Sequence, residues 1–461
     1  MKSLIKFIKT SGIYLIGNVL TKAVAFIMLP IYTKFLSPTD YGTYDVNVAY
    51  ITFLSSVLFL DIWSGMMRYM FDYSKIDDKR KPVLSGLTIF FLSTIVYTVF
   101  TFLLGSVMHI NFLFLIFLYG YTMNLQQLFA YIVRGIGKNA LFATAGLIGS
   151  VVTMLANIFF IAVFHYGYQY LYVSSILGSF VNILILAMGF NLFSLLNRKN
   201  FDRALTKEIF FFSLPLTVNS VAWWFLTAFN RVMISNSLSV AENGLYAVAN
   251  KFTSIMQLVD QAFQMAWQEI SFAKGGSTDG DKGRFFSRAV NEYIKFMSIG
   301  VAILLPVIRI AFPYFVDKSF NNALQVIPLA LVATLFSSIS SFLGGTITAI
   351  KQNKYLFTTT LAGTIVNVIV IFSTIHSFGV QSASLALGAG FLVVDIRRYQ
   401  LLKKHIEINF DFKQILPIYF LLICSSITFI FCSLMLNFII FIVVMICMIL
   451  LYKKWLIQFF N

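Results

Sequence analysis

The chain has 461 residues, of which 59% are hydrophobic and only 11% charged, with 51 phenylalanines and a formal net charge of +16. A soluble domain carries about a quarter charged residues, and no water-soluble fold of this size could hide so much apolar surface. The three cysteines, Cys424, Cys432 and Cys447, lie in apolar runs near the C-terminus and read as small core hydrophobes, neither a disulfide frame nor a metal site.

Met1 to Thr10 carry Lys2, Lys6 and Lys9 ahead of an apolar stretch. That stretch is long enough to span and lacks a small-residue cleavage pattern, so it reads as a retained first span and not as a signal peptide. A span needs about 20 mostly apolar residues. In chain order the segments that qualify are 11–35, 41–65, 83–105, 113–134, 140–164, 170–196, 209–230, 244–270, 291–312, 325–349, 355–375, 379–396, 415–435 and 437–456. The expected fold class is an all-α polytopic membrane protein of about 14 transmembrane helices. An even number of spans puts both termini on one side. All but six of the 34 Lys and Arg residues (the six are Lys22, Lys34, Arg231, Lys251, Arg309 and Lys318) fall at or near the two termini or in and beside alternate connections. The positive-inside bias assigns those connections, and both termini, to the cytoplasm. The basic balance is then answered by membrane lipids with anionic headgroups, and no nucleic-acid partner is called for.

A repeat relates the two halves. Leu36-Ser37-Pro38-Thr39-Asp40-Tyr41-Gly42-Thr43-Tyr44-Asp45-Val46 and Leu238-Ser239-Val240-Ala241-Glu242-Asn243-Gly244-Leu245-Tyr246-Ala247-Val248 share L-S-x-x-[D/E]-x-G-x-Y-x-V at an offset of 202. The acid stands near the start of the next helix, where the dipole favours it. Leu141-Phe142-x-Thr144 and Leu356-Phe357-x-Thr359 form a second pair, and Gly167, Gln169 and Gly178 match Gly379, Gln381 and Gly390 as a third. Each repeat holds six spans. Because six is even, the halves run in the same direction, which predicts two six-helix bundles related by an axis along the membrane normal. The expected domains are an N-terminal lobe over 1–200 and a C-terminal lobe over 201–396. The remainder, 397–461, supplies a cytoplasmic connection and helices thirteen and fourteen, outside the repeat. Two such bundles around a midplane cavity suit alternating access.

Span one ends in Pro30-Ile31-Tyr32-Thr33-Lys34, followed by Leu36-Ser37-x-x-Asp40-Tyr41-Gly42, and Gly65-Met66-Met67-Arg68-Tyr69 follows span two. In these residues the chain resembles polysaccharide flippases of the O-antigen and capsule type in the multidrug/oligosaccharidyl-lipid/polysaccharide (MOP) exporter superfamily. Asn230-Arg231 stands where that family commonly has Asp-Arg, a departure that puts any role of an acid there in doubt. The resemblance runs over essentially the whole chain. It implies a non-enzymatic transporter in a bacterial inner membrane, which turns an oligosaccharide linked to undecaprenyl pyrophosphate from the cytoplasmic to the outer leaflet. It also implies coupling to an ion gradient, and a role in surface polysaccharide synthesis beside other assembly proteins.

Ionisable groups at membrane depth are costly and are candidates for function. Lys22 lies about 16 Å along span one, near the midplane; it reads either as a cavity cation facing pyrophosphate or as half of a structural ion pair. Lys251, about 10 Å into span eight, reads as a second cavity cation or as a snorkelling lysine. Arg231 at the rim of span seven reads as an interface anchor or a substrate contact. Asp61 and Arg68, seven residues apart on one helical face, suggest a gate or an entry-side contact, against a solvated interfacial arginine beside a helix-end acid. Asp260 in span eight suggests a protonation site for ion coupling or a structural partner. Gln126, Gln127 and Asn219 suit either sugar hydroxyls or interhelical hydrogen bonds. His109, His165, His376 and His405 fall in different connections without ligand spacing, so no metal is expected.

The sequence contains no Walker A loop and no Ser/His/Asp arrangement, so neither a cofactor nor a catalytic residue is expected. The rival readings are a lipid II flippase or a drug antiporter of the same superfamily and, in a different class, a membrane glycan polymerase or ligase. The short connections argue against the enzyme, and the basic midplane residues and two extra spans argue against the antiporter.

Overall fold

The computed structural model describes residues 26–75, 77–188, 201–275 and 282–460. The chain divides into two compact units, Met1–Val232 and Met233–Asn461. The first unit contains α1 (Leu29–Phe35), α2 (Pro38–Leu58), α3 (Ile62–Met70), α4 (Arg80–Val107), α5 (Leu113–Gly135), α6 (Asn139–Asn157, continuing as a π-helical turn over Ile158–Val163), α7 (Gln169–Met188) and α8 (Arg203–Thr227). The short α9 (Phe229–Ser237) begins in it. The second contains α10 (Val240–Gly275), α11 (Lys282–Phe315), α12 (Ala323–Ala349), α13 (Lys354–Phe378), α14 (Gln381–Ile406), α15 (Phe412–Phe431) and α16 (Leu434–Phe460).

Span 11–35 falls mostly outside the described residues, as does 170–196 beyond Met188; over the described residues every span from 41–65 onward lies on a helix or a pair of helices. Among the described residues, eight helices are long and apolar enough by themselves to cross a membrane, and the bent pair α2–α3 adds a ninth. Helix α16 qualifies only as a shorter apolar helix, over Leu434–Leu450. In α5 the amides of Asn124, Gln126 and Gln127 dilute the apolar run, and α10 and α14 carry ionisable side chains along their length. The chain is a polytopic all-α membrane protein.

Helix α4 shows why these sequences suit a lipid solvent. Phe91, Ile95, Val99 and Leu103, four residues apart, form an exposed stripe, whereas Ser93, Tyr97, Thr101 and Gly105 are buried. The outward face is therefore the more apolar one, and small or hydroxylated residues make the close contacts inside. Many of the hydroxyls are satisfied within their own helix: Thr94, Thr98, Thr122, Thr334 and Thr346 each donate to the carbonyl four residues back.

The repeat is written into both units. Ser37 caps α2: its Oγ accepts from Asp40 N (3.1 Å), and Asp40 Oδ2 accepts from Ser37 N (3.2 Å), a reciprocal capping box with Pro38 in the first turn. Ser239 caps α10 in the same way, accepting from Glu242 N at 3.1 Å. Leu36 N donates to Tyr32 O and Leu238 N to Ile234 O, the same backbone bond 202 residues on. The second sequence pair opens α6 and α13, and Gln169 and Gln381 are the first residues of α7 and α14.

Gly178 and Gly390 of the repeat lie at close helix approaches. A Cβ on Gly178 would lie 1.9 Å from Thr153 Oγ1 and 2.5 Å from Gly149 O; one on Gly363 would lie 2.7 Å from Gly390 O. Helices α6 and α7 thus cross glycine to glycine in the first unit, and α13 and α14 do so in the second. Within the first unit α8 packs on α2, α3 and α4, and α5 packs on α7. Within the second, α12 lies against α10 and α14, while α11 carries α15 and α16.

Candidate functional site

The break between α2 and α3 makes a polar site in the first unit. The two helices meet at 48°, and the turn holds Leu60 (φ 56°) and Asp61 (φ 47°) in the left-handed region, which costs a non-glycine residue about 1 kcal/mol or more. Strain of this kind persists only where the surroundings enforce it. Here it swings Asp61 toward a cavity of about 220 Å³.

Three helices and the turn build the walls. Thr52, Ser55 and Ser56 lie on one face of α2, Asn124 and Gln127 are one turn apart on α5, and Ser220 comes from α8. Trp63 and Met123 supply the apolar part of the lining. The floor is tied before any ligand arrives: Asn124 Nδ2 donates to Ser55 Oγ and to Gly120 O, both at 2.8 Å. Ser64 Oγ donates to Asp61 Oδ1 at 2.9 Å, and Trp63 and Ser220 present further donors to the same carboxylate. Thr52 and Ser56 spend their hydroxyl protons on helix carbonyls, at 2.8 and 2.9 Å, leaving oxygen lone pairs for a ligand donor. Hydroxyls, two amides, a carboxylate and an indole around a small cavity are groups that match a sugar ring's hydroxyls and its apolar face.

The other sequence candidates fall elsewhere. Lys22 lies outside the described residues. Arg231 Nη1 pairs with Asp45 Oδ1 at 3.2 Å, joining α9 to α2, and Asp45 belongs to the first repeat turn. Arg68 pairs with Asp72 at 2.6 Å on an exposed helix surface, so it does not join Asp61. Lys251 and Asp260 are both half-buried on α10, nine residues and about 13 Å apart along the axis. Asp260 Oδ1 accepts from Tyr293 Oη at 2.5 Å and from Gln264 Nε2 at 3.2 Å. The structure therefore brings together Asp61 and Gln127, which the sequence nominated separately. Among the described residues, no three or more His, Cys, Asp or Glu side chains are placed to hold a metal ion.

Sequence reasoning missed Ser55, Asn124 and Trp63, whose polarity within spans was the available signal. It also missed a buried pair on α14. Arg398, counted among the basic residues of the 397–413 connection, is only 4% exposed, and Asp395 one turn before it is 8% exposed. The carboxylate inside the apolar 379–396 segment, with an arginine three residues on, was the clue.

The profile of a family described as polysaccharide biosynthesis protein matches residues 7–267, more than half of the chain. No curated protein matches it. Among solved structures, the chain is similar to the lipid II flippase MurJ in an inward closed conformation, at a TM-score of 0.73 and 14% identity over 96% of this chain and 99% of that one. It is similar to an inward-facing multidrug resistance MATE family transporter of the MOP superfamily at 0.68 and 14%, over 84% and 94%. A MATE protein in a straight conformation gives 0.59 and 15%, over 87% and 95%. At such identities the likeness is one of fold.

Proposed function

The chain belongs to the polysaccharide biosynthesis protein family, and from that premise we propose that it carries a glycan linked to undecaprenyl pyrophosphate across the inner membrane, from the cytoplasmic to the outer leaflet. The observation that carries this reading is the Asp61 cavity, a polar, indole-sided recess inside an otherwise apolar helical unit. At about 220 Å³ it is smaller than the 300–1,000 Å³ of drug-sized pockets. It suits one sugar of a longer chain. Its hydroxyl and amide lining favours a glycan over the apolar compounds a multidrug transporter would take. Asp61 and Gln127 are assigned to the sugar, and Lys22 and Lys251, cations within apolar spans of the sequence, to the pyrophosphate, because a cation in an apolar span is offset best by an anionic partner. The two repeats act as the moving halves of an alternating-access cycle, with Asp260 and its Tyr293 hydrogen bond as the site of ion coupling.

The test is surface-glycan export measured beside protein abundance in a producing strain. Asp61→Asn with Gln127→Ala should lower export about tenfold or more, the scale of lost hydrogen bonds to a bound polar ligand, while abundance stays normal and lipid-linked glycan accumulates on the cytoplasmic side. Lys22→Ala and Lys251→Ala should do likewise, and Lys→Arg should be milder. Normal export by all of these variants would remove the reading. If lipid II accumulates in place of a surface-glycan precursor, the substrate is that of the lipid II flippase.

A further inference from the structure

In the second unit, Asp395 and Arg398 stand one turn apart on α14, both more than nine-tenths buried. Arg398 is fully engaged. Its Nη1 donates to Ser340 O at 2.6 Å and to Ser340 Oγ at 3.2 Å, and its Nε and Nη2 donate to Thr359 Oγ1 and Thr360 Oγ1, each at 3.2 Å. Asp395 is different. Neither of its carboxyl oxygens has a partner at hydrogen-bond distance; the Ser340 hydroxyl beside it, which accepts from Arg398, has a single proton to offer the two of them.

Asp395 borders a cavity of about 360 Å³ between α11, α12, α14 and α15, within the size range of ligand sites. The rest of the lining is aliphatic and aromatic, with Tyr399 stacked on Phe410 at 4.1 Å closing one side. Leu392, Ile396 and Leu416 at its edge are 42%, 47% and 72% exposed, so the mouth opens on the lipid face of the unit. A buried carboxylate short of donors is expensive, and apart from its two tyrosines the lining of the cavity is hydrocarbon and offers none.

What the carboxylate is short of is donors, since Arg398 already supplies the opposite charge and Ser340 offers one proton for two oxygens; the other titratable groups facing it are the tyrosines Tyr399 and Tyr419. An ammonium ligand would add a second positive charge next to Arg398. A hydroxyl brings a donor and no charge, and the apolar walls ask that everything behind it be hydrocarbon. We propose that this cavity binds a neutral apolar alcohol from the bilayer, an aliphatic or prenyl chain ending in one hydroxyl that donates to Asp395. The site lies in the other unit from the Asp61 cavity and holds whether or not the chain moves a glycan.

The experiment uses the full chain in phospholipid nanodiscs with a diazirine-bearing hexadecanol, crosslinked by light and mapped by peptide mass spectrometry. Labelling should concentrate in 392–399 and 415–419. Excess hexadecan-1-ol should compete, whereas hexadecane and hexadecylamine should compete at least about tenfold less well, the scale of one hydrogen bond to a charged acceptor. Asp395→Leu should lose the labelling. Asp395→Asn, which keeps an acceptor oxygen, should retain most of it. Should Asp395→Leu fail to fold, Phe336→Trp fills the cavity without touching the carboxylate, and it should block labelling equally. Labelling unchanged by Phe336→Trp, or competition as strong from hexadecane or stronger from the amine, overturns the proposal.

Discussion

Replacing Arg398 with methionine removes the guanidinium that ties α12 and α13 to α14 and leaves Asp395 buried beside no opposite charge. The threonine acceptors lose little by this, since Thr359 and Thr360 each keep their own bond to a helix carbonyl at 2.9 Å. Most of the cost falls on the uncompensated carboxylate: breaking a buried pair by removing one member costs about 3–5 kcal/mol, whereas replacing both members with apolar groups is often neutral or stabilising. Arg398→Met should therefore destabilise by about 3 kcal/mol or more, and Asp395→Leu added to it should return most of that loss. The assay is reversible unfolding in mixed micelles by titration with sodium dodecyl sulfate, run on the parent, both single variants and the double. If Arg398→Met stays within about 1 kcal/mol of the parent, or the double variant is as unstable as Arg398→Met, the buried charge pair is not a coupled unit.

The repeat predicts equal responses at equivalent places: Ser37→Ala and Ser239→Ala should each cost about 1 kcal/mol, the value of an N-cap, read in the same titration. Gly178→Leu and Gly363→Leu force a side chain into a backbone contact and should each cost about 1–3 kcal/mol or more; a neutral result at either would deny the close crossing there. For orientation, cysteines placed at Ser37, Lys318 and Ser377 should react with an impermeant thiol reagent from outside intact spheroplasts, and one at Lys403 should not. The opposite pattern inverts the topology.

The span positions were legible because lipid imposes a one-dimensional requirement: about 20 apolar residues in sequence, with every backbone group satisfied inside its own helix. That is why each segment from 41–65 onward found its helix, α5 included despite its three amides. The repeat was legible too. The Ser37 and Ser239 caps are local, each closed within four residues, so the letters L-S-x-x-[D/E] spell the geometry directly.

The site was legible only in pieces. Asp61 and Gln127 stood out as polar residues in apolar spans, but nothing along the chain says that they share a cavity while Arg68 turns away to Asp72. That depends on the left-handed turn at Leu60 and Asp61, which bends a segment read as one continuous span. Arg398 is the sharpest case. A basic residue just past an apolar run looks like an interfacial charge, because sequence measures distance from the end of the run. Its burial is decided by Ser340, Thr359 and Thr360 on two other helices, whose oxygens converge only once those helices pack. Hydropathy fixes which residues enter the membrane; which of them meet is set by side chains far apart in sequence, each of whose interactions depends on the others being in place.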